Sequence, residues 1–183
     1  MKQTTRGFVK FLFLLTQFSN PKHTGHPYVL FLGLQQNNLP SYNTENSCDI
    51  ISWYKESKIK KQDITKIWVQ AKVGKNYVNP DDLVINRYIF PKFSNYVEYF
   101  SFLFFGIAAL FVSVFGVLRG KWWYGFLFNE SIFFHYVSVL KQESLAKDYF
   151  FNNSSWFYKP LWTYQAEKMG AFVSLYFYST NIG

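Results

Sequence analysis

The stretch Tyr99–Leu118, YFSFLFFGIAALFVSVFGVL, constrains this chain more than any other: it runs twenty residues without a charge and is closed by Glu98 and Arg119. At about 1.5 Å of rise per residue it reaches about 30 Å, the hydrocarbon thickness of a bilayer. A buried helix of a water-soluble domain can be apolar all round, yet seldom at this length and with Phe dominating. The expectation is a transmembrane helix over about 97–119, with Asn95 as its cap and Glu98 closing a capping box.

Within this helix Gly106, Ala109, Ser113, Gly116 and Gly120 are spaced 3, 4, 3 and 4 residues apart and form one stripe. Small residues on one face let a second helix backbone come close, which is how helices associate in lipid. With one clear span in the chain, the partner is expected from another subunit. Arg119, Lys121, Trp122, Trp123 and Tyr124 follow at once, as snorkelling cations and an aromatic belt at a membrane interface. Orientation is not legible, because Arg87 and Lys92 before the span balance Arg119 and Lys121 after it. Gly125–Leu140 places Ser131, His135, Ser138 and Gln142 on one helical stripe and is expected to be an interfacial amphipathic helix. The alternative is a second span folding back as a hairpin, with Glu130 and His135 as an intramembrane proton-relay pair.

The mean hydropathy of -0.07 is too low for a polytopic protein, so the apolar material is concentrated in one place. The 22 Phe and 14 Tyr exceed what an ordinary core needs, so some face lipid, an interface or a partner. The excess of Phe, Tyr, Ile, Asn and Lys over Gly, Ala, Arg and Pro reflects an AT-rich gene. The net charge of +8 sits almost entirely before the apolar stretch, suiting an anionic lipid surface or an acidic subunit.

No acidic residue precedes Glu45, while Lys2, Arg6, Lys10 and Lys22 are spread along the start. That is the composition of a mitochondrial targeting segment. With Met1 present, it is expected either to stay uncleaved or to belong to a protein made inside the organelle. Residues 8–15 are too short to span and are expected on the membrane surface or against another subunit. Pro21, Pro27 and Pro40 mark extended loop, with Tyr28–Leu34 as a short strand or tether. His23 and His26 lack further ligands at metal spacing, and Cys48 has no disulfide partner.

Residues 49–61 carry a partial helical pattern, and Lys66–Val73 alternates with strand periodicity toward a hairpin through Gly74–Asn76 into Tyr77 and Val78. Asn79, Pro80, Asp81 and Asp82 read as a helix start, predicting a helix to about Phe90 that stops at Pro91. In the tail, QESLAKDY looks like a short polar helix and AFVSLYFYST is β-rich. The sequons at Asn129, Asn152 and Asn153 read as accidental.

The expected fold is therefore a membrane protein, mainly α, with one transmembrane helix, one interfacial helix, extended segments ordered by partners, and a small α+β element at 49–78. Its segments are 1–48, a basic arm and loop; 49–96, a small extramembrane region; 97–120, the span; and 121–183, an aromatic-rich extension. Phe- and Tyr-heavy composition, Lys over Arg, Met1, one membrane helix and a long tail together resemble the small open reading frames of ciliate mitochondrial genomes. That resemblance implies a diverged or supernumerary subunit of an inner-membrane respiratory complex. No catalytic, cofactor-binding or metal site is legible. The functional expectation is a non-catalytic accessory subunit of the mitochondrial inner membrane, single-pass, with cytochrome c oxidase ranked before complex I and ATP synthase. Its partners would be other subunits and bound phospholipid such as cardiolipin, and no nucleic acid. The alternatives are a proton-conducting subunit using Glu130 and His135, and a membrane-tethered mitoribosomal protein using the Lys-rich 55–75 region.

Overall fold

The computed structural model describes residues 2–17, 28–34, 39, 50–59, 64, 66–71, 83–86, 90–152 and 159–176. The chain is mixed α/β and divides into two units interleaved along the sequence. One is helical (Met1–His23, Phe90–Leu145, Lys159–Gly170), and the other holds a sheet (Thr24–Ile89, Ala146–Tyr158, Ala171–Gly183). The four sequential segments expected from the sequence cut across both.

The helical unit contains α1 (Lys2–Leu15), α3 (Tyr96–Leu118), α4 (Tyr124–Val139) and α5 (Leu161–Lys168). Among the described residues α3 is the one helix long and apolar enough to cross a membrane. It starts where the capping signal lies: Asn95 Oδ1 accepts from Glu98 N at 2.9 Å. Glu98 reaches back one residue further than in the usual box, accepting from Ser94 N and Ser94 Oγ, both at 2.7 Å. The helix ends in a Schellman turn. Gly120, at φ 80°, donates to Val117 O, and Lys121 N donates to Gly116 O, each at 3.0 Å. That turn sends the chain straight back along α3 as α4.

The helices meet at glycines. A Cβ on Gly106 would strike the Phe11 ring of α1, and one on Gly116 would strike Tyr124. Gly7 of α1 lies under Phe128 of α4, and Gly125 of α4 lies under Thr4. Such close approach brings each side chain into dispersion contact with the backbone of the facing helix. At the other end of the unit the Phe93 ring meets those of Tyr136 at 4.7 Å and Phe102 at 5.4 Å, tilted to both, and Tyr136 donates to Pro91 O at 2.8 Å. Phe90 meets Trp162 of α5 edge-on at 4.9 Å.

The sheet unit contains β1 (Tyr28–Leu32), α2 (Ile50–Glu56), β2 (Lys66–Gln70), β3 (Leu83–Asn86), β4 (Asp148–Asn152) and β5 (Phe172–Tyr176). All neighbouring strands are parallel, in the order β3-β2-β1-β4-β5. A parallel sheet is covered on both faces, so its central strand reads as a continuous apolar run. β1, YVLFL, is buried at every position. On one face Phe31 and Phe150 stack at 5.0 Å, with Tyr54 of α2 edge-on to both. On the other, Tyr28 lies 4.5 Å from Trp68.

Three expectations fall here. The mainly α reading gives way to a five-stranded sheet, because its strands are short and far apart in sequence. The 66–73 strand exists as β2, but it pairs with β1 and β3 in parallel, so it requires crossovers instead of a hairpin. The helix predicted over 79–90 is replaced at Leu83–Asn86 by β3, where Ile67 opposite Leu83 and Val69 opposite Ile85 supply a neighbour that local capping signals cannot outweigh. The cap residues themselves, 79–82, lie outside the described residues.

Candidate functional site

β1 is the hub of the sheet: the chain builds outward from it to β2 and β3 on one side, then to β4 and β5 on the other. In open parallel sheets a crevice opens outside the carboxyl ends of the two strands where the order reverses, because their connections leave in opposite directions. Here those strands are β1 and β4. Register sets Leu32 of β1 between Gln70 of β2 and Phe151 of β4, with Asn86 beyond Gln70 and Asn152 opposite Tyr176 at the far side.

The chain leaves β1 through Gly33 at φ 80°, a conformation that a side chain resists. A glycine there leaves no side chain over the backbone just past the carboxyl end of β1. Among the described residues this edge carries no Asp, Glu, Lys or Arg: it ends in Leu32, Gly33, Leu34, Gln70, Ala71, Asn86, Phe151, Asn152 and Tyr176. Among the described residues, Lys66 and Asp148 stand at the opposite, amino edge, where the fully buried Asp148 accepts from Tyr54 Oη at 3.4 Å. Burial pushes the Tyr28 and Tyr149 hydroxyls well above the ordinary tyrosine range, so both remain protonated at neutral pH.

The residues singled out in the sequence lie in the helical unit. Gly106, Ser113 and Gly116 face its interior. Gly106 meets α1, and Ser113 Oγ donates to Tyr124 O at 3.1 Å, so the positions reserved for another subunit are filled by this same chain. Ala109 is half-buried. A Cβ on Gly120 would meet no atom within 4 Å, and its place is explained by the turn it makes. Of the interface anchors, Arg119 lies over the Phe115 ring at 4.1 Å and Lys121 over Tyr124 at 5.9 Å, while Trp122 and Trp123 are exposed.

Glu130 and His135 are directed apart. The buried Glu130 carboxylate accepts from Leu161 N, the first amide of α5, at 3.1 Å and from Asn129 Nδ2 at 3.2 Å. It caps one helix from another, with its negative charge at the positive end of the α5 dipole. The His135 ring stacks on Phe105 at 3.9 Å, facing α3. Ser131 and Ser138 donate back to the carbonyls of Phe128 and His135. The polar stripe of α4 is thus largely absorbed by its own helix and by α3. Asn129 accepts from Lys10 Nζ at 2.9 Å, a structural use for the first sequon.

Among the described residues no three His, Cys, Asp or Glu converge to hold a metal ion, and His23, His26 and Cys48 lie outside them. The reversal of strand order at β1 and β4 was not legible because it depends on all five strands. The one local signal was the apolar run Tyr28–Leu32 halted by Gly33.

Residues 105–183 are similar to a family described as "Polysaccharide biosynthesis PFTS motif protein". The match covers a little under half of the chain and takes in α4, β4, α5 and β5. No curated protein and no solved structure matches the chain.

Proposed function

We propose that this chain is a membrane-associated α/β protein of polysaccharide biosynthesis that takes a sugar nucleotide at the carboxyl edge of its sheet, beside Gly33 between β1 and β4. The observation that carries the reading is the family similarity over 105–183, which includes the strands on one side of that crevice. The strand order adds to it, since parallel sheets with this reversal hold nucleotides at this place in other proteins. Membrane association rests on α3. The test is thermal unfolding of the full chain in nanodiscs against a panel of uridine-, guanosine- and cytidine-linked sugars. A ligand at a hundred times its Kd adds about 2.7 kcal/mol to stability. The reading fails if no member of the panel raises the midpoint, or if Gly33→Val leaves a raised midpoint unchanged.

A second reading is favoured by the Phe-rich side of α3, where Phe100, Phe104, Phe111 and Phe115 are exposed. In it, the chain is a non-catalytic accessory subunit of a mitochondrial respiratory complex, cytochrome c oxidase first, as its likeness to ciliate mitochondrial proteins implies. Extraction in mild detergent separates the two: comigration with a respiratory assembly supports the second reading, and migration alone removes it.

A further inference from the structure

A groove of about 530 Å³ runs between α1 and α3, walled by Thr4, Thr5 and Phe8 on one side and by Leu110, Val114 and Leu118 on the other. Its size lies within the roughly 300–1,000 Å³ of ordinary ligand sites. Its walls are apolar apart from two threonines on α1, and it follows about two turns of α3, roughly 12 Å, toward the carboxyl end of that helix. A second hollow of about 640 Å³ shares Thr5 and continues along α1 past Arg6 and Val9.

On α1 and α3, the two helices that wall this groove, the charge flanking it has one sign. α1 contains no acid, and no acid occurs from Tyr99 to Trp123; the nearest on α3, Glu98, lies at its other end. Arg119 and Lys121, in the turn after Leu118, are exposed cations just past the end of the groove on α3, and Arg6 of α1 lines the second hollow. Trp122 and Trp123, which suit the boundary between lipid and water, follow immediately. An apolar channel closed by cations at that boundary is complementary to one class of molecule: an anionic head on a long alkyl chain.

We infer that the α1–α3 groove binds one acidic membrane phospholipid, with an acyl chain along Val114 and Leu118 and its phosphate at Arg119 and Lys121. This rests on α3 standing in a bilayer and is independent of the ligand at the sheet. Cations near a membrane surface each favour an anionic lipid by about fivefold, so the pair gives a preference of about thirtyfold.

Native mass spectrometry of the full chain, delipidated in detergent and offered equal dioleoyl phosphatidylglycerol and dioleoyl phosphatidylcholine, tests this directly. The expected result is one retained phosphatidylglycerol at about thirtyfold preference. In the double variant Arg119→Gln, Lys121→Gln the preference should fall close to parity. Val114→Trp, which fills the channel from an exposed position, should abolish retention of either lipid, and Thr5→Trp on the opposite wall should repeat that result should the first variant fail to fold. Parity between the lipids on the parent chain overturns the inference. So does a preference undiminished by the double variant, a lipid retained by both tryptophan variants, displacement by inorganic phosphate alone, or a lipid-free dimer that occludes the groove.

Discussion

Removing the Glu130 carboxylate should loosen α5 while leaving α3 intact. Glu130 is 3% exposed, and its carboxylate accepts from Leu161 N at 3.1 Å and Asn129 Nδ2 at 3.2 Å. α5 is eight residues long and starts at Pro160, which supplies no side-chain cap, so this carboxylate is what satisfies its first amide. A hydrogen bond to a charged acceptor contributes about 1.5–3 kcal/mol, and the favourable end of the helix dipole adds about 0.3–1 kcal/mol. Glu130→Ala should therefore cost about 2–3 kcal/mol locally. Glu130→Gln keeps a carbonyl oxygen and should cost about 1 kcal/mol. Hydrogen exchange on the full chain in nanodiscs reads this residue by residue. The α5 amides should exchange about thirtyfold faster or more in the alanine variant and about fivefold faster in the glutamine variant, with α3 unchanged. Unaltered α5 exchange in Glu130→Ala would refute the capping role and reopen the relay reading. Equal effects of the two substitutions would show that the acceptor's charge, and not its geometry, is what matters.

Gly106→Val places a branched side chain against the Phe11 ring and should cost about 1–3 kcal/mol by overpacking, read as loss of α1 protection. Gly120→Ala meets no atom but must hold φ 80°, so a cost of about 1 kcal/mol, read from thermal midpoints, would come from the backbone alone. Asn95→Ala should cost about 1 kcal/mol and fray the first turn of α3, visible as faster exchange at Glu98. The buried Tyr28 and Tyr149 hydroxyls have raised pKa values when folded, whereas in the unfolded chain they ionise near pH 10. Their contribution is complete below about pH 10 and is lost as pH rises further, because the unfolded state alone sheds the protons there. Tyr149→Phe should soften that alkaline loss in a circular-dichroism titration, at a neutral-pH cost of about 1 kcal/mol for the Ala146 amide that donates to it at 3.2 Å.

What could be read from the sequence was what is local. The apolar length of Tyr99–Leu118 and the Asn95 cap are carried by neighbours within four residues, and the structure has them in place. The small residues at 106, 113 and 116 were visible as a stripe, but not what fills it. Phe11 and Tyr124 lie on helices whose own patterns are mixed: α1 carries Arg6 and Lys10 among its apolar residues, and α4 buries residues on several sides. The sheet was mostly illegible for a different reason. Its strands have four or five residues each, and β1 and β4, which are paired, are separated by more than a hundred residues. No periodicity within a strand encodes such a pairing, and the order that reverses at β1 and β4 exists only after all five strands have met. Strong local signals misled in the same place: Asn79 and Pro80 promised a helix, whereas Leu83–Asn86 answered to β2.

The turn at Gly120 also bears on how α3 could stand in a membrane. α3 has 23 residues, about 34 Å, and α4 has 16, about 24 Å, shorter than the hydrocarbon layer. The two run antiparallel and packed: Ser113 bonds to Tyr124 near the turn, while Phe102 and Phe93 meet Tyr136 at the far end. Were α3 to stand in a bilayer, α4 would lie alongside it over most of its own length. The Schellman turn built by Gly116, Val117, Gly120 and Lys121 is the local device that sets α4 antiparallel to α3, so that any environment that receives α3 also meets α4.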